Sequence, residues 1–404
     1  MEIRLIASNQ ILRIIGRDSP LFQLDIEDCE KALSSAIESG SFLIIGGAGS
    51  IGKAVVKEIF SRNPLAIHVV DINENNLVEL VREIRSSLGY IKGDFQTFAI
   101  DFGSIEFESL INSMNSNYDY VLNLAAMKHV RSERDPFTLM RMIDVNIINV
   151  MNSLSLVDNK KLKKYFCVST DKATNPVNMM GASKRIMEMF LLSCQKMAPV
   201  SMARFANVAF SDGSLLHGFN QRFASKQPIT APNDVERYFI TPQESGQLCL
   251  LSSIFGGDGE IFFPSSTQEL KLTKFSDIAA RYIEGMGYEP FECESEDMAR
   301  SQSEKLISEN KWPCYFFKSD TTGEKDFEEF YKITDSLNLD QFRNIGIIKN
   351  IDKYSTSDLR VFWRSVDDLK KSKSWSRHEL ITLFQNLIPE FSHRDTGKFL
   401  DQRM

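Results

Sequence analysis

No two of the six cysteines form a Cys-x-x-Cys pair; Cys29, Cys167, Cys194, Cys249, Cys293 and Cys314 are scattered along 404 residues. A disulfide framework or a cysteine metal site is therefore not expected, and a reducing compartment is the simpler reading. The five histidines are equally dispersed, without a His-Glu-x-x-His, so no metal is expected. No apolar run reaches the ~18–20 residues that span a bilayer. Met1-Glu2-Ile3-Arg4 lacks the charged-then-apolar layout of a signal peptide. The expectation is a cytoplasmic protein without a membrane partner. A surplus of positive charge is also missing: 47 Lys and Arg face 54 Asp and Glu, a net charge of -7. That excludes a general nucleic-acid binder, but not one basic pocket for a nucleotide diphosphate. Internal repeats, low-complexity blocks and flexible linkers are absent as well.

What is present starts at Phe42-Leu43-Ile44-Ile45, a continuous apolar run that reads as a strand buried on both faces. Gly46, Gly49 and Gly52 then turn the chain into an amphipathic run from Lys53 that reads as a helix. Gly46 permits the tight turn, Gly49 lets backbone amides approach a pyrophosphate, and Gly52 lets the helix pack close to the strand. The helix N-terminus offers unpaired N–H groups and partial positive charge to the anion. Asp71 ends a second apolar run about twenty residues on, where a carboxylate bonds the ribose hydroxyls of a dinucleotide. A carboxylate there would repel a 2′-phosphate, so NAD is expected rather than NADP.

From 41 to about 205 strands and helices alternate. Strands are expected at Phe95–Ile100, Tyr118–Leu124, Tyr165–Val168 and Ser201–Phe205, and helices at Asn75–Ile84, 137–157 and 180–197. This pattern predicts a doubly wound parallel sheet with ligands at the carboxyl ends of its strands. Residues 1–40 form a lead with a short helix near Asp25–Leu33. Residues 41–210 form the nucleotide-binding domain, its sheet completed by 240–265. Residues 211–404 form a smaller mixed α/β substrate region with a charged helical tail from about 355. Thr241 and Pro242 are placed to start a helix running to Phe255. The acidic stretch Glu292–Asp297 reads as a solvated face.

The chemistry is expected where a strand delivers Ser169-Thr170-Asp171-Lys172. Asp171 offers a proton donor and Lys172 an amine base if burial tunes them. An Asn175-Pro176 loop follows, and then a helix carrying Met180 and Lys184 one turn apart on one face. Asp101, at a strand end, suits either the adenine amino group or a helix N-cap. Lys128, Asn207 and Arg237 are candidates for sugar or diphosphate contacts.

These stretches resemble the nucleotide-sugar 4,6-dehydratases of the extended short-chain dehydrogenase/reductase superfamily. The likeness is strongest to the UDP-N-acetylglucosamine 4,6-dehydratases of polysaccharide and protein-glycan biosynthesis. The resemblance runs from about Ile11 to Tyr331. It rests on Gly16-Arg17-Asp18, the glycine turn, Ala125-Ala126-Met127-Lys128-His129-Val130, Asn146, Ser169–Ala173, Asn175-Pro176, Gly181–Arg185, Arg204–Val208, Glu236–Phe239 and Gly323-Glu324-Lys325. The superfamily's Tyr-x-x-x-Lys reads Met180-x-x-x-Lys184 here, and a thioether transfers no proton. That methionine resembles a branch whose members retain configuration at C5.

The resemblance implies internal redox through bound NAD. Hydride leaves C4 and returns to C6, Lys172 removes the C5 proton, Asp171 protonates the departing C6 hydroxyl, and Thr170 bonds the C4 oxygen. Thr170, Asp171 or a water held by Lys184 remain candidates for deprotonating the C4 hydroxyl. The cofactor contacts implied are Gly46, Gly49, Ser50, Ile51, Gly52, Asp71, Asp101, Ala125 and Lys184. A homo-oligomer and a UDP- or GDP-linked N-acetylglucosamine substrate, as in legionaminic-acid pathways, are implied too. An epimerase working through the same 4-keto intermediate and a non-catalytic NAD-binding sensor are the competing readings.

Overall fold

The computed structural model describes residues 8–114, 118–157, 161–194, 198–265, 270–319, 328–349 and 354–398. Helices α1 (Ser8–Ile14) and α2 (Gln23–Glu38) come first. Strand β1 (Ser41–Ile45), α3 (Ser50–Phe60), β2 (Ala66–Asp71), α4 (Glu74–Ser87), β3 (Asp94–Ala99), α5 (Ile105–Ser113) and β4 (Tyr120–Asn123) then alternate. Next come α6 (Pro136–Ile143), α7 (Asn149–Leu156), β5 (Lys164–Thr170), α8 (Met179–Ser193), β6 (Val200–Phe205), β7 (Asn207–Val208), α9 (Leu215–Ala224), β8 (Ile229–Pro232), β9 (Glu236–Ile240), α10 (Pro242–Phe255) and β10 (Glu260–Pro264). The chain continues through β11 (Leu272–Lys274), α11 (Phe275–Gly285), β12 (Glu289–Glu292), α12 (Glu296–Ser308), β13 (Lys311–Phe317), β14 (Ser336–Asn338), β15 (Ile345–Lys349), α13 (Thr356–Ser372) and α14 (Arg377–Leu387).

Nine strands make the main sheet in the order β14-β15-β10-β6-β5-β4-β1-β2-β3. The seven from β10 to β3 run parallel, and β15 and β14 close the edge antiparallel. This is the doubly wound sheet expected from the sequence. β1 and β4 pair at the point where the strand order reverses, which opens a crevice at their carboxyl ends. Their side chains Phe42–Ile45 and Tyr120–Asn123 are all buried, as a sheet covered on both faces requires. β10 joins beside β6. Two smaller sheets, β11-β9-β7 and β12-β13-β8, stand beyond the end of β6. The acidic stretch expected as a surface turns into the β12–α12 connection, with Cys293 buried inside it.

Two local features differ from the sequence reading. The long helix expected over 137–157 is α6 and α7 joined by a π-helical turn, Asp144–Ile148. The extra residue in that turn marks Asn146, which accepts from the Met127 N–H at 2.9 Å and donates to the Met127 carbonyl at 3.0 Å and to Ser183 Oγ at 2.9 Å. One side chain so fixes the loop after β4 against α8. The lead helix is also longer than expected, and it packs Leu33 and Ile37 into the main core.

Helix α8 is enclosed. Every residue from Met179 to Leu192 is buried. α13 and α14 bring Leu359, Phe362, Val366, Leu380 and Phe384 into one apolar cluster with α6 and α8. Beyond α14 the chain secures the start of α8: the Arg394 N–H donates to the Val177 carbonyl at 2.9 Å. Buried Glu133 accepts the Met179 N–H at 2.6 Å and meets His393 Nε2 at 3.4 Å. On the other face of α8, Glu188 accepts from Arg204 at 2.9 and 2.8 Å, from Arg185 at 3.2 Å and from Ser169 Oγ at 2.6 Å. Glu188→Ala would leave two guanidinium groups buried without their carboxylate. The expected loss is about 3–5 kcal/mol of stability, read as a lower urea midpoint at unchanged slope.

Candidate active site

The glycine turn sits at the crevice between β1 and β4. Gly46 has φ +76°, and a Cβ there would lie 2.6 Å from the Ala125 amide nitrogen. A Cβ on Gly52 would lie 2.3 Å from the Gly46 carbonyl oxygen. Both glycines are therefore required by close approach. No side chain among the described residues caps α3, so the N–H groups of its first turn, Ser50 to Gly52, are open to an anion. Asp71, at the end of β2, accepts from the Ala48 N–H and the Asn73 N–H, both at 2.9 Å. It thereby ties the turn to the ribose position. Ser50 Oγ accepts from the Asp212 N–H at 2.8 Å, which folds the loop after β7 onto the turn. These residues fit a dinucleotide.

Asp101 pairs with Arg141 and accepts the Gly103 N–H at 2.9 Å. The N-cap alternative does not hold, because α5 is capped by Ser104. Ala125 follows β4 at the mouth of the crevice, its N–H donating to Asn123 Oδ1 at 3.2 Å. Lys128 lies exposed in the same loop, in the field of Asp212.

Strand β5 ends at Thr170, and a 3-10 turn, Asp171–Ala173, follows. The Thr170 hydroxyl donates to Asp171 Oδ1 at 2.8 Å, and Lys172 Nζ donates to the same oxygen at 3.2 Å. Asp171 is 1% exposed, and its Oδ2 is buried without a hydrogen-bond partner among the described residues. The turn is held by α8: Asn178 Oδ1 caps the helix at the Gly181 N–H (2.8 Å), and a Cβ on Gly181 would come within 2.4 Å of the Lys172 carbonyl oxygen.

The two residues of the expected Tyr-x-x-x-Lys position do not join this cluster. Met180 is buried in the apolar cluster shared with α6 and α14. Lys184 Nζ donates to the Val168 carbonyl at 3.1 Å, inside β5 rather than at its tip. Burial lowers the Lys184 pKa against the pull of Cys167 and Glu188.

Asn207 and Arg237 do meet near Lys172, through a residue the sequence reading missed. Glu328 accepts from the Tyr238 N–H at 2.7 Å and from Asn207 Nδ2, and its Oε1 lies 3.7 Å from Arg237 Nε. Burial pushes its pKa up to about 7, with the charge of Asp171 adding to the rise and Lys172, the Tyr238 N–H and Arg237 opposing it. The sequence signal was close at hand: Glu328 and Glu329 stand just after Gly323-Glu324-Lys325, which itself lies outside the described residues.

A model of the polysaccharide biosynthesis protein family matches residues 42–349. The chain belongs to that family. It is 30% identical to an uncharacterized membrane protein, MJ1061, of Methanocaldococcus jannaschii over 69% of this chain and 82% of the relative. It is 27% identical to the capsular polysaccharide biosynthesis protein CapD of Staphylococcus aureus over 76% of this chain. The match spans half of CapD's length. A UDP-glucose 4-epimerase of Rickettsia typhi is 28% identical over 65% of this chain and 80% of its own. Among solved structures, Pen from Bacillus thuringiensis superposes with a TM-score of 0.62 at 23% identity, covering 81% of this chain and 98% of Pen. DesIV, a dTDP-glucose 4,6-dehydratase of Streptomyces venezuelae solved with NAD and TYD bound, superposes with a TM-score of 0.55 at 14% identity, covering 84% and 99%. The fold is that of the extended short-chain dehydrogenase/reductases, as expected, and NAD is the cofactor seen in this neighbour. No helix among the described residues is long and apolar enough to cross a membrane.

Gly46→Ala should force a side chain into the Ala125 backbone. The expected product keeps its helical circular dichroism and loses most of its bound NAD, measured by absorbance of nucleotide released on denaturation.

Proposed function

We propose that this chain is an NAD-dependent nucleotide-sugar 4,6-dehydratase, acting on UDP-N-acetylglucosamine or its GDP counterpart in glycan or legionaminic-acid-type biosynthesis. The observation that carries this reading is Asp171 Oδ2, a buried carboxylate oxygen with no hydrogen-bond partner among the described residues, beside the Lys172 amine. An oxygen that meets no donor among the described residues is free to meet a substrate hydroxyl. Bound NAD supplies hydride acceptance at C4 and hydride return at C6.

The chain's own groups handle the protons. Lys172 Nζ takes the C5 proton and later returns one to C5. Asp171, reached through the Thr170 hydroxyl on its Oδ1, takes the C4 hydroxyl proton as the ketone forms and passes it to the C6 oxygen, which leaves as water. Thr170 Oγ, already aligned on Asp171 Oδ1, bonds the C4 oxygen. Asn207, Arg237 and Lys128 contact the sugar and diphosphate. Net oxidation is zero, so the cofactor can stay bound. Met180 in place of the superfamily's tyrosine, as in the branch it resembles, favours retention at C5.

Purified protein incubated with UDP-N-acetylglucosamine and GDP-N-acetylglucosamine should convert one of them to a product lighter by one water, read by mass spectrometry. Lys172→Ala should lower that rate by about 10²–10⁴-fold, the usual worth of a positioned acid or base, while NAD remains bound. A second reading, a 4-epimerase, is supported by the Rickettsia typhi relative. Epimerisation needs no acid at C6, and the product mass would equal the substrate's. No turnover of either sugar with NAD bound would favour a non-catalytic binder.

A further inference from the structure

Asn207 stands two residues beyond Phe205, which pairs with Thr170 where β6 runs beside β5. It therefore lies at the carboxyl end of the sheet, where ligands bind in this architecture, and it is half-buried. Two acceptors hold its amide. Nδ2 donates to the Tyr238 carbonyl at 3.3 Å and to Glu328 Oε1. The other carboxylate oxygen of Glu328, Oε2, accepts the Tyr238 N–H at 2.7 Å. Glu328 is itself fastened. Its side chain is 1% exposed. The stretch that bears it is tied down by Arg204 Nη1 on the Phe330 carbonyl at 2.7 Å and by Asn175 Nδ2 on Glu329 Oε2 at 2.9 Å.

An asparagine amide has two N–H donors and one carbonyl oxygen. Here both donors are taken, and Oδ1 accepts from no described residue. Turning the amide over would set Oδ1 against the Tyr238 carbonyl, which is an acceptor at any pH. The sense of the side chain is therefore fixed, and what it offers a ligand is an acceptor alone. A phosphate oxygen is an acceptor too and has no proton to give such a group. A sugar hydroxyl has one, and so has an acetamido N–H.

We propose that Asn207 reads a hydrogen-bond donor on the sugar, a hydroxyl or the acetamido N–H, and is not a phosphate ligand, with Glu328 the positioning residue that keeps its Oδ1 free for that donor. This rests on the nucleotide-sugar reading of the site and deepens it: the diphosphate falls to the cationic side chains, and Asn207 sorts sugars. Glu328 has two acceptor oxygens and spends one on Asn207 and one on the Tyr238 N–H. Glutamine has one. With that oxygen on the Tyr238 N–H, the amide nitrogen of Glu328→Gln faces Asn207, where it repels Nδ2 and competes for Oδ1.

The test uses NAD-bound protein carrying Lys172→Ala, so that no sugar is consumed. Calorimetry gives the Kd of UDP, of UDP-N-acetylglucosamine and of their GDP counterparts. Asn207→Ala should weaken binding of the nucleotide sugar by about 2–10-fold, the net worth of one hydrogen bond, and leave the bare diphosphate unchanged. Glu328→Gln should do the same. The double variant should bind no worse than the weaker single one, because both remove the same contact. Should Asn207→Ala lose its NAD, Asn207→Ser replaces it, with a hydroxyl for Glu328 on a shorter side chain. The nucleotide-linked 2-deoxyglucose separates the two donors. If Asn207→Ala does not weaken its binding, the group at C2 is the one read; if it does, a ring hydroxyl elsewhere is. An equal loss for the bare diphosphate overturns the proposal. So does full sugar affinity in Asn207→Ala, and full sugar affinity in Glu328→Gln overturns the part given to Glu328. A protein that binds neither nucleotide sugar overturns the nucleotide-sugar reading and the proposal with it. The expected losses with no water released from either sugar by the wild type uphold the contact at Asn207 and overturn the dehydratase reading instead.

Discussion

Arg204 is the tie on which the site depends. It is 2% exposed, yet its guanidinium meets Glu188 on α8, Thr174 after the Asp171–Ala173 turn, and the Phe330 carbonyl near Glu328. A guanidinium buried this deeply is tolerated only when its donors are met and its charge is matched. Meeting them draws three remote stretches of chain to one place. The strand end, the helix behind it and the segment bearing Glu328 are thus held by one buried cation rather than by three separate packing contacts.

The second constraint is close approach. Gly181 lets α8 lie against the Lys172 carbonyl, Gly46 lets β1 turn beneath Ala125, and Gly52 lets α3 start against the turn itself. In each case a methyl group would occupy space already filled by backbone. The glycine turn and the Asp171–Ala173 turn are therefore built by the same device. Asn146 links the two sides, since its amide bonds both the loop after β4 and Ser183 of α8.

Much of this was legible in the sequence because the signals are local. Apolar runs buried on both faces gave the strands, Thr241 with Pro242 gave the start of α10, and the glycine spacing gave the turn. Thr170, Asp171 and Lys172 share one short stretch, so their meeting needed no tertiary knowledge. Glu328 was not legible in the same way. Its role comes from hydrogen bonds to Asn207 and Tyr238, far away in sequence, and no periodicity reports such contacts. The Lys184 bond was hidden for a related reason: helical spacing puts Lys184 on the face of Met180 but does not say that its amine reaches the Val168 carbonyl. The π-helical turn escaped because an inserted helical residue barely disturbs an apolar pattern.

Helix α8 carries a last consequence. It is wrapped by β5 in front, by α6 beside it and by α13 and α14 behind; its first residue is bonded to Glu133, and Val177 just before it accepts from the Arg394 N–H. An element boxed in on all sides cannot hinge without breaching the interior. The bank of the crevice formed by α8 and the strand tip is thus a rigid anvil. Any closing over a bound sugar falls to the opposite bank, where the loops around Lys128 and Asp212 lie at the surface.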